Sequence, residues 1–426
     1  MIDINLIREN PEEMKKKLAK KLVDVDFTEL LEKDKERKEL LYKTDSLKAE
    51  RNKTSSLVPQ LKKEGKDVSG IIEEMKKLGD EIKANDEKIA EVEAFIQNFL
   101  EYLPNPPADD LLPGGKENNK EIKVFGEKPV FDFEPKHHVD IAESLGMIDY
   151  KRGAKLSGNG YWVYRKDGAL LEWALINYFI EEHLKDGYEF MLLPHQLNRK
   201  CGYGAGQFPK FTDEVYHLDE TSENSTHFLL PTAETALVNL HSDEILDEDE
   251  LPFKYAGYTP CYRKEAGSYR AEERGMIRGH QFNKVEMVQY TTPEGSEKAF
   301  EELLGKAARL VEGLGLHHRI TKLAAADCSH SMARTCDIEV WIPSMNDYKE
   351  VSSVSNAYDY QARRSNTKFR RKDTGKLEYV HTLNGSGLAT SRILPAIMEQ
   401  YQRPDGSITV PEVLRKWVGK DVIKKQ

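Results

Sequence analysis

Arg263 and Glu265 stand two residues apart in Tyr262-Arg263-Lys264-Glu265, and Phe282 and Glu286 follow beyond a basic loop that contains Arg274, Arg278 and Gly279. On a strand, residues two apart share a face. An arginine there can grip a phosphate with two hydrogen bonds, and a phenylalanine opposite can stack on a base. A surface hairpin with ordinary ion pairs has the same spacing. Glu350-Val351-Ser352-Ser353 puts a carboxylate beside two hydroxyls at an expected strand end, a set that suits Mg²⁺ and phosphate oxygens. Ser-rich turns also read this way. The glycine-rich turn expected in His381-Thr382-Leu383-Asn384-Gly385-Ser386-Gly387-Leu388-Ala389 permits close approach of a ligand. It leads into a helix over Ile393–Tyr401, with Arg392 in its first turn or two. A cation there opposes the helix dipole, which favours a ligand-directed role. In Pro231-Thr232-Ala233-Glu234 a hydroxyl and a carboxylate two apart fit a helix N-cap or a grip on an ammonium group. No nucleophile–base pair stands out. The constellations together suggest phosphoryl chemistry done by positioning and charge neutralisation.

The chain lacks both G-x-G-x-x-G and G-x-x-x-x-G-K-[ST], so a nucleotide would bind without a dinucleotide fingerprint or P-loop. Its 426 residues suggest two or three domains. A net charge of −10 argues against a generic charge-driven nucleic-acid binder but leaves room for a local basic surface. The cysteines Cys201, Cys261, Cys328 and Cys336 form no C-x-x-C pair and read as reduced thiols in a cytoplasmic protein. Cys328, His330 and Cys336 lack a placed fourth ligand, so no zinc is expected. No signal peptide and no membrane span are expected.

Residues 1–103 carry a heptad seam at Met75, Leu78, Ile82, Ile89, Val92, Ile96, Phe99 and Leu103, with Asn85 in one gap. Upstream, Leu40, Leu47, Thr54 and Leu61 sit on sevens, and Gly65 and Ser69-Gly70 separate the runs. The spacing predicts two helices of about 35 residues folded into an antiparallel hairpin of roughly 50 Å. A dimerising coiled coil has the same period. The prolines and glycines of 104–135 suggest a linker. From 136 to 426 helical and strand patterns interleave. The run 169–180 reads as a buried helix, and 190–194, 228–231, 284–290 and 337–342 read as strands. The expected class is α+β, an antiparallel sheet flanked by helices.

The ordered set of motifs is similar to one family. Thr259 through Tyr269 resembles motif 2 of the class II seryl-tRNA synthetases of bacterial type, and Leu383 through Arg392 resembles their motif 3. Thr232-Ala233-Glu234 resembles their serine-binding element, and Glu350 to Ser353 their ATP-binding Glu-Ile-Ser-Ser with Val351 for Ile. Met1 to Pro11 and Phe131 to Lys136 are similar too. The resemblance implies a serine–tRNA ligase: ATP-dependent formation of seryl-adenylate, then transfer to the 3′ end of tRNA(Ser) and of tRNA(Sec). It implies that Thr232, Ala233, Glu234, Arg263, Glu286, Asn384 and Ser386 bind serine. It implies that Arg263, Lys264, Glu265, Gly279, Phe282, Glu350, Val351, Ser352, Ser353 and Arg392 bind ATP. Arg263, Glu265 and Arg392 would be catalytic, and Glu350 and Ser353 would hold Mg²⁺. A cytoplasmic homodimer whose arm lies against tRNA is also implied. A paralogue that activates serine or an analogue for a non-tRNA acceptor would carry the same site, though it has no evident use for the arm. Three stretches depart from the family pattern: 326–336, 269–273 and Thr390-Ser391.

Overall fold

The leucine–isoleucine spacing of the N-terminal part becomes two long helices, α1 (Thr28–Lys63) and α2 (Ser69–Glu101). The computed structural model describes residues 1–218, 227–265 and 275–425. The five residues between α1 and α2 turn the chain back, and Lys66 N closes the turn on Leu61 O at 3.0 Å. Ile82, Asn85, Ile89, Val92, Ile96 and Leu100 form the buried stripe of α2. Phe27, at the start of α1, meets Phe99, near the end of α2, with ring centroids 6.4 Å apart. Ion pairs Lys43–Glu81 (2.6 Å) and Lys48–Asp86 (3.1 Å) cross the pair. The seam is thus filled within one chain, and α1 alone spans about 54 Å. Residues 2–18 and 23–103 make one compact unit; Met1, 19–22 and 104–426 make the other.

The second unit is built on eight strands: β1 (Lys120–Phe125), β2 (Glu189–Leu192), β3 (Phe253–Tyr262), β4 (Gln281–Thr291), β5 (His318–Lys322), β6 (Arg334–Ile342), β7 (Asp347–Tyr358) and β8 (His381–Ala389). Their order is β1-β5-β6-β7-β8-β4-β3-β2. All neighbours are antiparallel except β2 and β3. Helices α3 (Lys166–Lys185), α4 (Ser296–Gly313) and α5 (Thr390–Gln400) join one sheet face through a core that includes Val285, Met287, Ile338, Val340, Val351 and Leu383. Burying each such side chain contributes about 1.5–3 kcal/mol. Strand alternation leaves Lys284, Glu286, Asp337 and Glu339 for the opposite face.

Two expectations need correction. The segment 104–135 contains β1, the edge strand paired with β5. Its first part is also tied down: Asn105 N donates to His330 O (2.8 Å) and Ala108 N to Ala333 O (2.9 Å). Prolines remove helix donors but leave neighbouring N–H groups free to dock an extended chain. Secondly, 381–389 is a strand, not a turn. Its glycines serve close packing, since a Cβ on Gly387 would lie 2.3 Å from His183 Nε2, whose ring bonds to Gly387 O at 2.8 Å.

Glu172 of α3 anchors the site's two flanks. Its Oε1 accepts from Thr390 Oγ1 (2.6 Å) at the start of α5 and from Asn283 Nδ2 (2.8 Å) beside Phe282. Burial pushes this carboxyl up from 4.5 to about 7. The folded value exceeds the unfolded one, so the native state holds the extra proton between those pH values. Stability from this group is therefore greatest below the lower value, falls as pH rises across the window and levels off above it. Glu172→Gln keeps an oxygen acceptor and cannot ionise. Between about pH 5 and 8 the variant should gain on the order of 1–3 kcal/mol over the parent, read as unfolding free energies at the two pH values.

Candidate active site

The polar face of the sheet floors a cavity of about 460 Å³. At one end the alternation of β4 presents Lys284 and Glu286 together, and they form a buried ion pair. Glu286, 1% exposed, also receives Thr232 Oγ1 at 3.3 Å and Ser386 Oγ at 3.4 Å. The same Thr232 Oγ1 accepts from Glu234 N at 3.2 Å, but the residue at the N-cap of the short helix Glu234–Leu237 is Ala233, so Thr232 stands one place before the cap its sequence position suggested. Glu234 Oε1 accepts from Gln361 Nε2 and Asn384 Nδ2, both at 2.9 Å. Burial, then the facing Glu286 carboxylate, pushes Glu234 up to about 7. The end of β3 is fixed to this wall by Tyr262 N donating to Leu230 O at 3.0 Å. Arg263 Nε donates to Pro231 O at 3.3 Å.

The other end depends on a bulge. Glu350 and Ser353, three apart, would point to opposite faces of a regular strand. Between β6 and β7 the register shifts so that Asp337 pairs with Ser353 and Glu339 with Glu350. Asp337 and Glu339 are two apart, so the shift brings Glu350 and Ser353 to one face. Burial and then Glu350 push Asp337 well above the carboxylate range, against a hydrogen bond from Ser353. Its Oδ1 is buried and has no hydrogen-bond partner among the described residues. Arg392 Nη1 donates to Glu350 O at 2.7 Å and lies 3.4 Å from its Oε2, while Nε donates to Ile277 O at 3.3 Å.

A smaller adjoining cavity of about 80 Å³ takes in Glu265, Gly279, Phe282 and Val351. The Arg263 guanidinium lies 5.2 Å from the centroid of the Phe282 ring. Glu265 does not continue the strand as its spacing from Arg263 suggested. β3 ends at Tyr262, Glu265 takes φ +47°, and its Oε2 receives Arg278 Nε at 2.8 Å. A Cβ on Gly279 would lie 2.3 Å from Trp162, so only glycine fits there.

Among the described residues, Thr232, Glu234, Arg263, Glu286, Glu350, Ser353, Asn384, Ser386 and Arg392 come together around the larger cavity, and the adjoining one adds Glu265, Gly279, Phe282 and Val351. Ala233, Lys264 and Ser352 stand outside these walls. Ala233 packs in a neighbouring core, Lys264 N donates to Glu214 O, and Ser352 Oγ donates to Ser386 O at 2.6 Å. The departures at 269–273 and Arg274 lie outside the described residues. Lys284, Gln361 and Asp337 escaped sequence reading; only the two-residue step from Lys284 to Glu286 signalled the first. Among the described residues, Cys328, His330 and Cys336 do not meet as a ligand set. His137, His138 and Glu399 do, but Glu399 already accepts from His138 and from Ser344 N and Oγ.

Residues 216–401 match the tRNA synthetase class II core domain (G, H, P, S and T), and residues 1–107 match the seryl-tRNA synthetase N-terminal domain. The chain is 62% identical to serine–tRNA ligase 2 of Clostridium acetobutylicum, over 99% of this chain and 100% of that protein. The chain belongs to the seryl-tRNA synthetases. It is 48% identical to the serine–tRNA ligase of Fervidobacterium nodosum, over 100% of this chain and 99% of the relative. The structure of Pyrococcus horikoshii seryl-tRNA synthetase complexed with ATP matches with a TM-score of 0.92 at 32% identity, covering 100% of both chains. Within this seryl-tRNA synthetase the unusual 326–336 segment is held from behind. Buried Lys21 donates its Nζ to Ser329 O (3.1 Å) and Met332 O (2.7 Å), and Asn105 Nδ2 donates to Ser331 O (2.9 Å). The Thr390 departure is explained by its bond to Glu172.

Proposed function

We propose that the chain condenses L-serine with ATP to seryl-adenylate in this cavity and passes the seryl group to tRNA(Ser), with tRNA(Sec) as a second acceptor. The observation that carries the reading is the carboxylate pair Glu234 and Glu286 at one end of a cavity whose other end holds Arg392, Glu350 and Ser353. The pair, with Thr232 and Ser386, would hold the ammonium and hydroxyl of serine. An arriving ammonium supplies the positive charge that Glu234 lacks. Arg263 lines both cavities and would steer the serine carboxylate onto the α-phosphate. The carboxylate oxygen attacks the α-phosphorus in line, the bond to the β-phosphate oxygen breaks, and pyrophosphate leaves. Arg263 and Arg392 neutralise the charge that develops. The adenine would lie against Phe282 and bond to Glu265, as the smaller cavity suggests. The terminal ribose hydroxyl of tRNA then attacks the adenylate carbonyl and releases AMP.

The all-oxygen set of Glu350 and Ser353, beside Asp337 Oδ1, which has no partner among the described residues, fits a hard divalent cation. When bound, Mg²⁺ supplies positive charge to the phosphates. Lys53, Lys62 and Lys63 are exposed near the tip of the helical pair and support contact with tRNA phosphates. Leu192, 77% exposed on the edge strand β2, neighbours Tyr258, whose ring lies 5.9 Å from that of Trp173, 55% exposed. An apolar patch beside the edge strand of the sheet supports a homodimer. No described helix is long and apolar enough to cross a membrane; we read the enzyme as cytoplasmic from its family.

Serine-dependent ATP–pyrophosphate exchange tests the reading. Glu286→Gln leaves Lys284 without its partner charge and weakens the grip on the ammonium. It should raise the serine KM by about a hundredfold, worth ~2.7 kcal/mol, while the ATP KM moves less than about threefold. Equal changes in both would count against a serine pocket at Glu286.

A further inference from the structure

We propose that Met332 sets the size limit of the amino-acid pocket, a thioether wall that admits serine and turns away threonine. The inference deepens, and rests on, the reading of the Glu234–Glu286 end as the serine site. Met332 belongs to the 326–336 segment that departs from the family pattern. It is 4% exposed and lines the larger cavity and also a third cavity of about 440 Å³, the two sharing Thr232, Glu234 and Arg263. Asn384 Nδ2 donates to Glu234 Oε1 at 2.9 Å and also reaches Met332 Sδ at 3.7 Å. One amide therefore ties the carboxylate and the sulfur together, and the thioether stands beside the polar groups that would grip serine.

Methionine is a flexible side chain and by itself makes a poor gate. Here its backbone is clamped. Lys21 Nζ holds Met332 O at 2.7 Å and Ser329 O at 3.1 Å, while Asn105 N and Ala108 N hold the carbonyls of His330 and Ala333 on either side. The sulfur end is held by Asn384. The wall can yield neither at its base nor readily at its tip. Polar contacts to the hydroxyl reject alanine but not threonine, which keeps the hydroxyl and adds a methyl group. That methyl group needs a steric barrier, and Met332 is an apolar group placed to supply one. A single methylene in such a pocket is worth roughly 10–200-fold in kcat/KM.

The test is pyrophosphate exchange by the full chain with serine, threonine and alanine, for the parent and for Met332→Ala, Met332→Leu and Lys21→Met. Met332→Ala should raise the threonine-to-serine ratio of kcat/KM by about tenfold or more, with the alanine-to-serine ratio unchanged because the polar grip is intact. Met332→Leu keeps the bulk and should keep the parent's ratio. Lys21→Met releases two carbonyls and should shift the ratio in the direction of Met332→Ala. Met332→Val, which removes less volume, carries the same test should Met332→Ala unfold. An unchanged threonine-to-serine ratio in the smaller variants overturns the inference and leaves the serine site standing. A parent with no serine-dependent exchange overturns both.

Discussion

Arg263→Ala should lower kcat for serine-dependent pyrophosphate exchange by about a thousandfold, worth ~4 kcal/mol of transition-state stabilisation. Arg263 lines the larger cavity together with Glu234, Glu286 and Arg392, and the adjoining one together with Phe282 and Glu350. Its Nε is spent on Pro231 O, and its guanidinium lies near the Phe282 ring, so the fork is held before any ligand arrives. Such a donor acts where charge develops rather than on bound substrate. The loss should therefore appear in kcat, with the serine KM moving less than about tenfold. Arg263→Lys keeps the charge and loses the planar fork, so it should recover only part of the rate. A variant that raised KM alone would make Arg263 an ordinary binding group.

Removing residues 30–100 and joining the ends through a short Gly-Ser linker should abolish tRNA charging while serine-dependent exchange stays within about threefold. The excised stretch lies wholly in the first compact unit, and every wall residue of the cavity belongs to the second. The helical pair carries its own buried seam, and the sheet core is built from residues of the second unit alone, so the excision leaves that core complete. A shortened chain that still charges tRNA would remove the role given to the arm.

The arm was legible because heptad spacing is local: Ile82, Ile89, Val92 and Ile96 follow from period alone and are the residues buried. The period-two runs around Lys284 and Asp337 were legible for the same reason, and the structure holds them as β4 and β6. What period could not reveal is non-local. The bulge that turns Glu350 and Ser353 to one face depends on the partner strand, which carries no sign of it in its own residues. The docking of 105–108 against 330–333 depends on carbonyls more than two hundred residues away. Glycine in 381–389 suggested a turn, whereas Gly387 is there because His183 presses against the strand. Glu265 was expected to share a face with Arg263 by strand alternation. The strand ends three residues short, and Arg278 decides where the carboxylate points. The motifs named candidate residues; only the sheet shows which of them meet.

If this cavity joins serine, and no close neighbour of serine, to tRNA, the amino acid and its acceptor can be read in a single assay. Total tRNA is charged by the purified chain with labelled serine, alanine, threonine and cysteine in parallel. Label should enter tRNA from serine alone, on tRNA(Ser) and tRNA(Sec). Serine-dependent pyrophosphate exchange without label on any tRNA would contradict the assignment.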